Sequence, residues 1–208
     1  MPRGITFSET MAGPFALDEQ DPERGRATGA RRGTRLTMNA RVSIADLDAF
    51  VADPDHAGEL AGSVDFAPLG VALTAHDGVF NLFSPSGQPE LKLMVYELAI
   101  SAAGKPYYVA GRKEVRDDRG FDLWSDTTTL YTTLHQGAGK DGPVVGAGIL
   151  GLGVRDLGDL LATVRVTGAG SPLEIAETLT KFGVFFMGEL WHSYGPEMLK
   201  SFTGRGRR

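Results

Sequence analysis

Nine residues, Leu36–Ile44, constrain the fold more than any other stretch. Leu36, Met38, Ala40, Val42 and Ile44 alternate strictly with Thr37, Asn39, Arg41 and Ser43. Successive side chains of a β-strand point to opposite faces, so a period of two marks a strand buried on one side. The chain beyond extends the pattern. His56–Phe66 and Val71–Ala75 read as further strands, and Asp77-Gly78, between Leu73–His76 and Val79–Phe83, is a short-range hairpin signal. Leu91–Ile100 is apolar on both parities apart from Lys92 and Glu97, as a central strand would be. Gly104-Lys105-Pro106 breaks it, and Tyr107–Val115 runs on to the turn Asp117-Asp118-Arg119-Gly120. Phe121–Leu134 then returns, rich in the Thr, Tyr and Trp that suit a pleated, half-buried surface. Leu36–Leu134 is thus a meander of long antiparallel strands. The expected fold is mainly β: an antiparallel barrel or sandwich, a lipocalin-like meander, with a C-terminal amphipathic helix.

The flanks are less regular. Ile5–Phe15 reads as a short strand ended by Gly13-Pro14. Residues 18–35 are dense in Gly, Asp, Glu and Arg without apolar periodicity and read as a mobile loop. Its arginines, Arg24, Arg26, Arg31, Arg32 and Arg35, are either a solvated charge run or an anion contact. Asp46–Val51 is a short helical turn stopped before Asp53-Pro54, because the residue preceding proline avoids the α region. In the last third, strand Val144–Leu152 is followed by a helix around Val154–Val164. A second helix, over 171–195, opens at Ser171-Pro172 with Ser171 as N-cap, Pro172 in the first turn and Glu174 three residues after the cap. Ile175, Leu179, Phe182, Phe186 and Leu190 form its apolar stripe, and Phe182, Phe185, Phe186 and Met187 read as core-facing. It ends near Tyr194-Gly195-Pro196, and the basic tail 203–208 is frayed.

Composition narrows the functional classes. The chain has 208 residues, enough for one β-rich domain with a proper core. A net charge of −5 argues against a nucleic-acid binder. No apolar run approaches the roughly 18 residues of a membrane span, and the N-terminus lacks the apolar region of a secretory signal. With zero cysteines, disulfides, thiolate metal sites and cysteine nucleophiles drop out. A cytoplasmic location is expected.

The run GPVVGAGILGLG, Gly142–Gly153, formally contains the G-x-G-x-x-G of dinucleotide-binding folds at Gly146, Gly148 and Gly151. That fingerprint needs a helix opening at its third glycine and an acidic residue about 20 positions on, in a βαβ unit. Here Gly168-Ala169-Gly170 stand where the carboxylate should be, and the upstream chain is meander. The glycines read instead as allowing a bulge or the close approach of a helix or strand, and no cofactor is expected. The four histidines, His56, His76, His135 and His192, are too scattered for a metal site.

The densest set of functional side chains lies in Tyr107–Leu134. Arg112 and Glu114 share a strand face with Tyr108, while Lys113 shares the other with Tyr107 and Val109. Asp122, Trp124 and Asp126 share a face of the returning strand. Aromatics beside a few charges line many small-molecule pockets. Tyr96, Tyr108, Trp124 and Tyr131 are therefore the candidate ligand-binding residues. Asp126 and Glu114, as acid or base, and Arg112, as anion stabiliser, are the candidate catalytic ones. Cross-strand ion pairs and ordinary sheet aromatics are the plain alternative. Glu189, Trp191, His192 and Tyr194 form a second cluster near the end of the C-terminal helix.

Gly104–Asp118 (GKPYYVAGRKEVRDD), continuing through Phe121–Tyr131 (FDLWSDTTTLY), resembles a region of bacterial cholesterol-oxidase-like GMC oxidoreductases. Phe7–Gly13 and Gly183–Tyr194 are similar too, so the resemblance covers most of the chain. In that family the region resembles an accessory domain beside the flavin domain, in some long chains also beside an α/β-hydrolase domain. The resemblance implies association with sterol or lipid oxidation and a flavin-dependent oxidoreductase as partner. It carries no catalytic residue. Three functions follow as expectations: a binding domain for an apolar sterol, lipid or polyketide-like molecule; a cofactor-independent cyclase, isomerase or hydrolase with an in-barrel acid or base; or an interaction module without a pocket. An inward carboxylate would favour the second, a dry apolar interior the first, and an exposed apolar patch on a filled barrel the third.

Overall fold

The computed structural model describes residues 1–116, 128–152 and 162–203, and side chains as far as 189. Eight antiparallel strands close into a barrel: β1 (Gly4–Leu17), β2 (Arg35–Ile44), β3 (Ala57–Phe66), β4 (Gly70–Pro85), β5 (Leu91–Ala102), β6 (Lys105–Arg116), β7 (Thr129–Gln136) and β8 (Val144–Gly151). Each strand pairs with the next, and β8 returns to β1 through Phe15↔Gly148 and Leu17↔Gly146. A ninth strand, β9 (Arg165–Thr167), pairs with Gly4–Thr6 on the edge of β1 that β8 occupies further along. Closure gives every one of these eight strands a neighbour on both sides.

The alternation read from Leu36–Ile44 sets the inside of the barrel. All five apolar residues of β2 are buried, and the inward row of β1 runs Ile5, Phe7, Glu9, Met11, Gly13, Phe15. One contiguous hydrophobic core lies in the interior. Between β5 and β6, Ala103 and Gly104 both have positive φ (49° and 75°), which a two-residue hairpin with the right twist requires.

Several local expectations are corrected. Strand β1 does not end at Gly13-Pro14 but runs through it to Leu17, where it gains β8 as neighbour. Asp77-Gly78 is not a hairpin turn. It lies inside β4, where Asp77 at φ 53° makes a bulge, and the register shifts between His76 and Val79. A Cβ on Gly78 would run into the Leu60 carbonyl. A second bulge places Phe83 at φ 56° and buries it beside Leu82.

Residues 18–35 are not a loop. They carry α1 (Pro22–Arg32), N-capped by Asp21, whose side chain accepts from the Arg24 N–H, with Pro22 in its first turn and Gly33 closing it at φ 67°. The helix has no apolar stripe because glycines seat it. A Cβ on Gly25 would meet the Ala147 carbonyl of β8, and one on Gly29 the Phe15 backbone of β1. Its arginines lie on the solvent side and pair locally, Arg26 with Glu23 and Arg24 with Glu19.

The glycine run resolves in the same terms. Gly146 and Gly148 belong to β8 and leave room for the Phe15 ring, which would touch a Cβ on either. That ring meets Phe66 edge to face at 5.2 Å. The helix expected around Val154–Val164 lies mostly outside the described residues.

Helix α2 (Leu47–Ala52), capped by Asp46, connects β2 to β3. Helix α3 (Pro172–Thr203) is longer than expected and continues through Gly195-Pro196, proline removing one hydrogen bond without ending the helix. Its packed side is Phe182, Phe185 and Phe186, joined by the buried Thr178. Ile175 and Leu179, expected in the apolar stripe, are 42% and 41% exposed, and Met187 is 61% exposed. The side chain of Leu190 and the tail 204–208 lie outside the described residues. The packed phenylalanines fasten α3 to the end of the barrel where β1 begins and β2 ends: Phe182 on Phe7, Phe185 on Phe50 and His56, Phe186 on Phe83. Ion pairs Lys92–Glu189, Lys181–Asp48 and Arg3–Glu177 flank them.

Candidate functional site inside the barrel

Besides Thr132 of β7, whose hydroxyl donates to the Leu130 carbonyl, three polar side chains among the described residues break the apolar lining, and each is placed by strand parity. Glu9 takes the inward position of β1 between Phe7 and Met11. Lys113 takes the inward position of β6 between Gly111 and Val115. Tyr96 of β5 lies opposite Gly111, which has no side chain to compete with it. The Glu9 and Lys113 side chains are only 2% and 3% exposed. The Lys113 ammonium stands 3.6 Å from Glu9 Oε2, donates to the Tyr96 hydroxyl at 3.3 Å, and lies 4.7 Å from the centre of that ring. Burial pushes the Tyr96 phenol well above its ordinary value, and the Glu9 carboxylate beside it raises it further.

The cluster is incomplete. Glu9 Oε1 is buried and accepts no hydrogen bond. A buried carboxylate oxygen without a donor is costly, and such orphans are rare in folded proteins. Around it the wall is thin in side chains. Glu9 lies opposite Ala40, Ala40 opposite Gly62, and Gly62 opposite Ala75, so one row across β1–β4 carries two methyls and a glycine beside the carboxylate. Aromatic rings close the flank towards α3: Phe80 packs on Tyr96 at 5.2 Å, Phe7 on Phe80 at 6.0 Å, and Phe182 on Phe7 at 6.5 Å. This arrangement can accept one more hydrogen bond among apolar neighbours. With the phenol adjacent, it also sets a carboxylate and a protonated acid side by side.

A second polar cluster lies on the outer face of the same two strands. Tyr108 donates to Glu97 Oε2 at 2.7 Å, and Lys140 donates to Glu97 Oε1 at 2.6 Å. Burial and the Glu97 hydrogen bond raise the Tyr108 phenol. Beside it His135 bonds the Gly142 carbonyl at 3.0 Å and the Thr133 hydroxyl at 3.0 Å. Lys140 and Gly142 belong to the β7–β8 connection, so these bonds fasten that connection to the wall.

The residues singled out from sequence divide accordingly. Arg112 and Glu114 are not inside the barrel. The parity that turns Lys113 inward turns them outward, where Arg112 (62% exposed) and Arg116 both pair with Glu114. Partial burial raises the Glu114 carboxyl, but the two arginines outweigh it and hold it below its ordinary value. Tyr108 and Tyr131 share that outer face, Tyr131 lying opposite Arg112. Of the expected ligand-binding residues that are described, Tyr96 points inward and Tyr108 and Tyr131 do not. Asp126 and Trp124, like Asp122, fall outside the described residues. Glu9 was not singled out as a site, and Lys113 only as one charge among many. The signal for both was their phase: each is a charge standing where the alternation calls for an apolar residue.

Among the described residues, no group of three or more His, Asp or Glu gathers to hold a metal ion. No helix among them is long and apolar enough to cross a membrane. No family model matches the chain, no curated protein or solved structure shows significant similarity to it, and none of these comparisons links it to the GMC oxidoreductases.

Proposed function

We propose that this protein binds an apolar small molecule inside its barrel, of sterol, lipid or polyketide-like character. The observation that carries the reading is the Glu9–Lys113–Tyr96 cluster. A few convergent polar groups in an otherwise apolar lining are the usual make-up of a small-molecule site, and eight-stranded barrels are of a size to hold one small ligand. The sterol or lipid class, and a flavin-dependent oxidoreductase as partner, rest on the resemblance of Gly104–Tyr131 to GMC accessory domains. Native mass spectrometry of freshly purified protein, with a denatured control, tests the reading. A stoichiometric apolar adduct supports it, and a clean apo mass that takes up no added lipid or sterol refutes it.

One observation favours a second reading, a cofactor-independent acid–base enzyme. The inward carboxylate is Glu9, beside the Tyr96 phenol, so base and proton donor would be these two rather than Asp126, Glu114 and Arg112. Turnover of a bound ligand that is lost in Glu9→Gln, with binding retained, would establish it. An interaction module is the third, supported by the apolar residues Leu173, Val184 and Met187 exposed on α3.

A further inference from the structure

The ligand's chemistry can be narrowed from the cluster's single vacancy, on the reading that the barrel binds a small molecule. Among the described buried side chains the one unpartnered polar atom is Glu9 Oε1, an acceptor. An incoming group must therefore bring a donor. Lys113 already balances Glu9 across 3.6 Å and donates to the Tyr96 hydroxyl, so an anionic headgroup would bring a second negative charge beside Glu9 into a buried pair that is already neutral. The charge of Glu9 is already balanced by Lys113, and a second cation would sit in a buried space against that ammonium without a counter-charge. A fatty acid fails on the first ground and an amine on the second. The small-residue row Ala40, Gly62, Ala75 runs across the wall from Glu9, where bulky side chains take up least of the space the body of an apolar molecule would need.

We infer that the barrel selects neutral, hydroxyl-bearing apolar molecules, whose O–H donates to Glu9 Oε1. The geometry makes a lipid alcohol or a sterol-type hydroxyl the fitting headgroup, and a carboxylate, an ammonium or a bare hydrocarbon a poor one.

Competition of decanol, decanoate, decylamine and decane for the barrel, read by displacement of a fluorescent apolar probe, tests this. Decanol is expected to bind about tenfold or more tightly than each of the others, the hydrogen bond being the difference. Glu9→Gln alone leaves Lys113 unbalanced and is at risk of misfolding. The double variant Glu9→Leu/Lys113→Met removes both charges and the acceptor oxygen together and keeps the comparison readable. It is expected to hold decane as wild type does and to lose the preference for decanol. Decanoate or decylamine binding as tightly as decanol, or a preference that survives in the double variant, overturns the inference and leaves the small-molecule reading standing. Failure of the probe and all four compounds to bind overturns both.

Discussion

The protein builds the same three residue types twice, on the two faces of the β5–β6 wall, with Glu9 of β1 completing the inner set and Lys140 of the β7–β8 connection the outer one. Inside the barrel stand Glu9, Lys113 and Tyr96; outside stand Glu97, Lys140 and Tyr108. Tyr96 and Glu97 are neighbours in sequence, facing opposite ways. The outer carboxylate is saturated, one oxygen taking the phenol and the other the ammonium, and its lysine is 60% exposed and free to adjust in water. The inner carboxylate has a longer ion pair and one empty oxygen, with almost no solvent to soften either. Composition is therefore no guide to role. A completed set of bonds fastens a connection, whereas the incomplete one, sealed from water, is the one on which the proposed binding rests.

The largest expected effect tests that difference. Removing one charge of the inner pair, Glu9→Gln or Lys113→Met, strands the other in the core and is expected to cost about 3–5 kcal/mol, read from urea unfolding. Removing both together should cost far less. If the single variants are no worse than the double, the inner pair is not buried as described.

The outer set should respond more mildly. Tyr108→Phe leaves Glu97 with Lys140 and is expected to cost about 1–2 kcal/mol. It should also loosen the β7–β8 connection, visible as faster amide exchange around Gly137–Gly142, without changing ligand binding. Lys140→Ala should cost less than about 1 kcal/mol, because its partner bond is half in solvent.

Alkaline pH probes both sets at once. The Tyr96 and Tyr108 phenols lie above their ordinary value of 10.0 when folded, so the fold favours their protonated forms. Their contribution is complete below about pH 10 and is lost as pH rises beyond it, when the unfolded chain ionises first. Tyr96→Phe and Tyr108→Phe should each flatten the decline of stability above pH 10, and a slope untouched by either would show the phenols are not so held. At the other end of the scale, Glu114 is depressed, and its contribution is lost as pH falls below its ordinary value of 4.5. Arg112→Ala should change stability by no more than about 0.5 kcal/mol and leave ligand binding intact. A larger effect on binding would move the site to the outer face.

How much of this was legible depended on which signal each segment carried. Leu36–Ile44 declared its strand because one face is dry and the other wet. Glu9 and Lys113 are visible in the same way, as charges in the apolar phase, but density of charge points to Arg112 and Glu114, and charge is densest where water is. Helix α1 lacked the expected apolar stripe because Gly25 and Gly29 bring it onto backbone rather than side chains. Its termini were nonetheless marked by Asp21-Pro22 and Gly33, as Ser171-Pro172 marked α3. Asp77-Gly78 carried a genuine local preference for positive φ, and pairing with β3 and β5 turned it from a hairpin into a bulge. Which partner strands would meet there is a long-range fact that no short window contains.

Strand β1 has a consequence for how the chain is made. It leaves the ribosome before its partners, and of these only β2 follows promptly; β8 and β9, which pair on its other edge, come after the rest of the wall. Until then β1 is an open edge with a mostly apolar inward row, available to any other strand of the nascent chain or of a neighbour. Closure brings together residues far apart in sequence, so it is expected to be the slow step of folding. The ionic cluster forms only then, since Glu9 comes from β1 and Lys113 from β6. A charge exposed on that row during synthesis discourages premature pairing, and the same charge is sealed away when the last strands arrive.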